Sequence, residues 1–245
     1  MTMPKIYLSP AYHKANQCCY RRPDGQQCYE TLHNNEYLDY LEPLLLAQGL
    51  EVKRGPRRVP MSNEDGNALM ARAIRESNAW KADVHYVSHT NASGNATDGS
   101  GKATGFRPMY FSASAKGRDL CNLIANYRAH IYPRSIKCNP RPSATAGNLA
   151  ELKNTTAVAV YMEHVFHDNA QDAAWFHANI EAVAKSDCKA LCEWFKMPYK
   201  EQTTEKEPQE AEILFTRRDT LFYVDGLPVT VPEFLAAMKS IKEEK

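Results

Sequence analysis

Residues 82–93 read ADVHYVSHTNAS. The run up to Val87 suits a buried strand, and it stops abruptly at Ser88-His89-Thr90-Asn91, where polar side chains crowd together. Two other runs share its apolar character, KIYLS at 5–9 and AVAVYM at 157–162, and a shorter one, LEVKR, follows Gly49. Helical patterns separate them, at about 33–48, 63–79, 114–131 and 170–196, the last with Trp175, Ile180, Val183, Leu191 and Phe195 at helical spacing. Strands alternating with helices predict an α/β fold, a mostly parallel twisted sheet with helices on both faces. MYF at 109–111 is a further strand candidate, and Pro43 predicts a kink in the first helix.

From Pro198 the text turns polar and loses its periodicity (PYKEQTTEKEPQ), which is the composition of a linker. The expected organisation is a main domain at 1–198, a linker at 199–210 and a small C-terminal α+β module at 211–245. The module reads as two strands, an Asp225-Gly226 hairpin, a third strand and a helix from about Pro232. So short a segment buries little core alone, so it is expected to dock or self-associate.

Charge excludes more than it selects. The 245 residues carry a formal net charge of +1, which argues against a nucleic-acid partner, since phosphate binding needs clustered unpaired Lys and Arg. No run has membrane-spanning length, and MTMPKIYLSP lacks the basic start and apolar stretch of a signal peptide. The expectation is a chain that is cytoplasmic as synthesised and does not insert into membranes. Seven cysteines (18, 19, 28, 121, 138, 188 and 192) form no paired CxxC units. They read mostly as buried thiols in a reducing compartment, with a disulfide among Cys18, Cys19 and Cys28 as the alternative.

Each long strand is followed by an ionisable side chain: His13 after the first, His89 after the second, Glu163 after the third. In open parallel sheets that carboxyl edge is where ligands bind. Glu30, at the start of the first helix, is a fourth candidate. Taken singly, each has a bland reading: a loop histidine, a helix-start carboxylate. Together, two imidazoles and a carboxylate make a common catalytic zinc set with one open position, and a second carboxylate beside it has work as a proton carrier.

At these residues the sequence resembles the zinc-dependent N-acetylmuramoyl-L-alanine amidases, hydrolases that degrade cell-wall peptidoglycan. The resemblance runs from about residue 4 to 196, through YLSPAYH, ETLHN leading to LLLAQGLEV, SHTNAS, and EHVFHDNAQDAAW. The last fits the family pattern E-x-x-F-x-x-N-x-x-D. Residue by residue, the resemblance implies His13, Glu30 and His89 as ligands of Zn2+ and Glu163 as the catalytic glutamate. It departs in the first motif, where Ser9-Pro10-Ala11-Tyr12-His13 stands for Asp-Pro-Gly-His with one extra residue; His33 is the substitute considered for His13.

The function implied is hydrolysis of the amide between N-acetylmuramic acid and L-alanine by a lytic enzyme, an endolysin or autolysin that meets the wall after release. The alternatives are a peptidoglycan-binding protein that has lost turnover and a zinc amidase acting on another acylated peptide. Asn91, His167 and Arg141 are candidate substrate contacts, against local capping, loop packing and a solvated surface loop at 132–148. His164 is weighed between orienting Glu163 and packing, His85 reads as core, and His130 and His177 as helix surface. The C-terminal module is expected to bind wall polymer or mediate self-association.

Overall fold

A computed structural model describes residues 3–14, 16–21, 25, 27–94, 97–143, 149–201, 222–224 and 227–229. The chain divides into two compact units, Met1–Lys200 and Glu201–Lys245.

The first unit is built on six strands: β1 (Lys5–Pro10), β4 (Glu51–Arg54), β5 (Val84–Asn91), β6 (Arg107–Tyr110), β7 (Arg141–Pro142) and β8 (Val158–Phe166). Their order across the sheet is β4-β1-β5-β8-β6-β7. All neighbours are parallel except β6, which runs antiparallel to β8. The mostly parallel α/β fold expected from the sequence is the fold observed. β2 (Gln17–Arg21) and β3 (Gln27–Tyr29), which the sequence reading does not anticipate, pair as a separate antiparallel hairpin.

Strand alternation distributes the core. Ile6, Leu8, Tyr86, Val160 and Met162 pack on one side with α1 (Glu30–Ala47), α3 (Ala115–Ala129) and α5 (Ala170–Trp194). The intervening residues serve the other side: Tyr7 packs with Leu69 and Ala73 of α2 (Asn63–Trp80), and Val87, Ala159 and Tyr161 with Leu152 of α4 (Ala150–Lys153). Both faces are covered, as a parallel sheet requires. Ser62, Ser114 and Asn169 cap α2, α3 and α5 through their side-chain oxygens, which accept first-turn backbone N–H bonds. α1 runs as one helix across Pro43, where the sequence predicts a kink. The non-helical residue instead lies in α5, at Asn179.

The helical side of the core encloses an ion pair. Arg128 and Asp187 are both fully buried. The Arg128 Nε donates to Asp187 Oδ1 at 2.6 Å, and the Tyr37 and Tyr86 hydroxyls donate to Oδ2, the former at 2.7 Å. The guanidinium also lies 3.9 Å from the Phe106 ring centroid. Of the second unit, the described parts are Glu201 and the strands β9 (Phe222–Val224) and β10 (Leu227–Val229), an antiparallel pair. The linker expected at 199–210 and the helix expected from Pro232 lie almost wholly outside the described residues.

Breaking the buried pair strands a charge in the core. Asp187→Ala should therefore cost about 3–5 kcal/mol, read from urea unfolding midpoints, whereas the double variant Arg128→Met/Asp187→Leu should cost clearly less. Equal losses would show that packing, and not the unpaired guanidinium, sets the penalty.

Candidate metal centre

The first turn of α1 is polar yet buried, which is why it carries chemistry instead of core. Glu30 is 1% exposed, and its backbone N–H donates to the Asn16 carbonyl at 2.8 Å. The carboxylate is surrounded by donors. Oε1 lies 2.8 Å from His89 Nδ1 and accepts the Thr90 backbone N–H at 3.2 Å, while Oε2 accepts Asn16 Nδ2 at 2.7 Å. Burial pushes the Glu30 pKa up, but the charge and hydrogen bond of His89, with His13 behind them, hold it well below the usual carboxylate range. Burial likewise works against a charged His89, and the Glu30 carboxylate outweighs it, so the imidazole is shifted up.

His13 reaches the same carboxylate, with Nε2 3.7 Å from Glu30 Oε2. The extra residue of SPAYH is absorbed before it: β1 continues through Pro10, and Ala11 and Tyr12 are buried. α2 closes over this segment at Gly66, where a Cβ would stand 2.5 Å from the Tyr12 carbonyl oxygen. Thr31 then fixes His13 itself, its hydroxyl accepting the His13 N–H at 3.1 Å and donating to the His13 carbonyl at 2.7 Å. His13, Glu30 and His89 each contribute a ligand atom, all within 4.8 Å of one another. Two imidazoles and a carboxylate suit a divalent ion such as zinc and leave a coordination position open.

Glu163 stands beside this group because the sheet register puts it there. It pairs with His89 on parallel β5 and with Arg107 on antiparallel β6, so three functional side chains stand abreast across three strands. Its Oε2 is buried without a hydrogen-bond partner among the described residues. Burial pushes its pKa up to about 8, with Glu30 adding to the rise and His89 and Arg107 opposing it. Two residues back on the same face, Tyr161 stacks on His89 with centroids 4.3 Å apart.

His13, His89, Tyr12, Met70, Glu151 and Tyr161 line a cavity of about 390 Å³ that opens beside the cluster. Glu151 escapes the sequence reading because it stands in a single helical turn. There it accepts from Ser9 Oγ and lies 3.1 Å from Nε2 of the buried His85. Arg107 is also missed, since its place beside Glu163 follows from the antiparallel register of β6.

The other candidates occupy different positions. Asn91 caps its own loop, Oδ1 accepting the Ala92 N–H at 2.8 Å. His167 is buried, with Nδ1 2.9 Å from Thr90 Oγ1. Arg141 is exposed on edge strand β7. His164 lies in the core against Ser88 Oγ at 2.8 Å and stacks on Phe176, so alternation turns it away from Glu163. His33 does not substitute for His13, because its Nδ1 faces Cys18 and Cys28. His177, expected on the helix surface, lies 3.8 Å from Cys28 Sγ. All seven cysteines are free thiols, so the disulfide alternative is not realised.

The spacing of EHVFHDNAQD has a structural logic. Phe166 is buried, Asn169 caps α5, and Asp172 Oδ2 accepts the Gly105 and Phe166 N–H groups. Asp168 Oδ2 accepts the Ser93 and Gly94 N–H groups at 2.9 and 3.1 Å, which anchors the loop that follows His89.

Among solved structures, the chain is similar to the catalytic domain of CwlV, an N-acetylmuramoyl-L-alanine amidase from Bacillus (Paenibacillus) polymyxa var. colistinus. The TM-score is 0.62 at 19% identity, covering 80% of this chain and all of that one. It is also similar to the catalytic domain of the CD27L endolysin targeting Clostridia difficile, with TM-score 0.59, 18% identity and coverage of 78% and 97%. A third, the CwlD amidase of Clostridioides difficile in complex with the GerS lipoprotein, gives 0.62 and 15%, covering 79% and 98%. At these identities the likeness establishes the fold. No family model and no curated protein matches the sequence.

Because Thr31 holds both backbone polar groups of His13, Thr31→Val should weaken divalent-metal affinity about 10–100-fold with the fold intact, as isothermal titration would read. Unchanged affinity would mean that His13 is held by other contacts or takes no part.

Proposed function

We propose that this chain is a zinc-dependent N-acetylmuramoyl-L-alanine amidase, cleaving the amide between the lactyl group of N-acetylmuramic acid and L-alanine of the stem peptide. The observation that carries this reading is the convergence of His13, Glu30 and His89 with Glu163 alongside, its buried Oε2 without a partner among the described residues, toward the strand ends of a fold shared with amidase catalytic domains. His13, Glu30 and His89 would hold the ion. The chemistry a zinc ion brings to such a donor set is Lewis acidity, which polarises a carbonyl and makes water acidic near neutral pH.

The chain's own residues do the rest. Glu163 takes a proton from the attacking water at its unpartnered Oε2 and returns it to the leaving amine. Tyr161 holds the His89 ring by stacking, and Asn16 and the Thr90 N–H hold Glu30 in its charged form. Arg107 and Arg141, on neighbouring strands at the far side of Glu163, offer cations to the carboxylates of a stem peptide. Asn91 and His167 support the loop and the Thr90 hydroxyl from behind.

The biological setting we infer is lysis of a bacterial wall by an endolysin or autolysin, with the 211–245 module attaching to wall polymer or to a second copy. No helix among the described residues is long and apolar enough to cross a membrane.

Chelation should abolish release of stem peptides from purified peptidoglycan, and added zinc should restore it. Glu163→Gln should lose about 10²-fold or more in turnover while keeping the wild-type metal content. Mass spectrometry should find new amino-terminal L-alanine and intact glycan strands. Binding to peptidoglycan without new amino termini would instead support a wall-binding protein, and cleavage confined to other acyl-peptides would move the substrate class.

A further inference from the structure

A second group of metal-type side chains lies behind the first, and the proposed amidase chemistry does not use it. Cys18 of β2, Cys28 of β3 and His33 of α1 are all at most 2% exposed, and their ligand atoms lie within 4.8 Å of one another. His33 Nδ1 is 3.3 Å from Cys18 Sγ and 3.4 Å from Cys28 Sγ. A fourth donor stands beside this group on α5, next to Cys28 but outside the mutually close set, with His177 Nε2 3.8 Å from Cys28 Sγ. Zinc–sulfur and zinc–nitrogen bond lengths at tetrahedral angles put sulfur and nitrogen about 3.6 Å apart, in the middle of these three separations.

The surrounding hydrogen bonds prepare His33 for this role. Its Nε2 lies 2.7 Å from Thr90 Oγ1, and that oxygen lies 2.9 Å from His167 Nδ1. The direction of this chain in which Nε2–H donates to Thr90 and the Thr90 hydroxyl donates to His167 leaves the lone pair of His33 on Nδ1, facing the two sulfurs, and it is the direction a bound cation selects. As plain thiols the two sulfurs share this one lone pair with weak contacts to each other and from Cys28 Sγ to the Tyr29 carbonyl at 3.9 Å. A cation bound by deprotonated sulfurs matches Cys18, Cys28 and His33, with His177 beside Cys28 to close the set. His177 is set in place by Tyr20, which stacks on it with centroids 3.8 Å apart.

We propose that Cys18, Cys28, His33 and His177 form a second zinc site, structural in kind, that fastens the β2–β3 hairpin to α1 and α5. Four protein ligands fill a tetrahedral ion and leave no position for water or substrate. The site fixes the turn that carries Glu30, three residues before His33, and through Thr90 it braces the residue next to His89. It stands independently of the amidase reading.

Cobalt distinguishes the two donor sets, because only this one contains sulfur. The full chain, expressed in zinc-depleted medium supplemented with Co2+, should show thiolate-to-cobalt charge-transfer absorption in the near ultraviolet together with intense tetrahedral visible bands. His13→Ala should keep that absorption, and Cys28→Ser should lose it along with one equivalent of metal. Should Cys28→Ser fail to fold, the wild-type spectrum decides alone. A cobalt-loaded wild type without the charge-transfer band, or a native chain whose mass and thiol count show a Cys18–Cys28 disulfide, would overturn the proposal.

Discussion

A carboxylate with almost no contact with water is the constraint around which the site is arranged. Placing Glu30 at 1% exposure costs several kcal/mol unless its charge is matched, and the chain matches it from four directions. His89 comes from the end of β5, His13 from the loop after β1, Asn16 from the approach to the hairpin, and the Thr90 N–H from the bulged stretch between His89 and Asn91. The start of α1 adds its own field, since unpaired helical N–H groups favour a negative charge there. These contributors come as two pairs, His13 with Asn16 and His89 with Thr90, from separate parts of the chain. The ion pair is thus a consequence of correct sheet assembly, and it fails wherever a strand is out of register.

The same helical turn serves other directions at once. Thr31 holds the backbone of His13, His33 faces two thiols, and Asn34 Oδ1 accepts the Ser88 hydroxyl at 2.7 Å. Helical spacing of about 100° per residue sends successive side chains to different neighbours, so one turn joins the sheet edge, the hairpin and the strand before His89. Farther along α1 the buried residues become Leu38, Leu41 and Leu45, which do only packing. The helix is therefore divided lengthwise between chemistry and core.

What the sequence made legible follows from which signals are local. KIYLS, VHYVS and AVAVYM carry strand character in a few consecutive residues, so β1, β5 and β8 could be placed without tertiary information, although β5 and β8 run on past His89 and Glu163, to Asn91 and Phe166. Other features depend on partners. β6 contains only four residues and includes Pro108, and its antiparallel pairing, which sets Arg107 beside Glu163, is not encoded in its composition. The hairpin of β2 and β3 is polar and short, and it carries Cys18 and Cys28 toward His33 and His177 only once it folds against the helices. His177 looks like a surface residue on α5 for the same reason, and His164 resolves into the core only when the phase of β8 is fixed by Tyr161 facing the cavity.

The central claim is that distant strand ends and one helical turn assemble a site for a metal ion. The most direct measurement is a crystal structure of the zinc-loaded chain with anomalous diffraction recorded on both sides of the zinc absorption edge. The account predicts an anomalous peak among His13 Nε2, the Glu30 carboxylate and His89, with Glu163 beside it and outside the coordination shell. Zinc-replete crystals with no peak at that position, or a peak there that excludes His13 or Glu30 from the ligands, would contradict it.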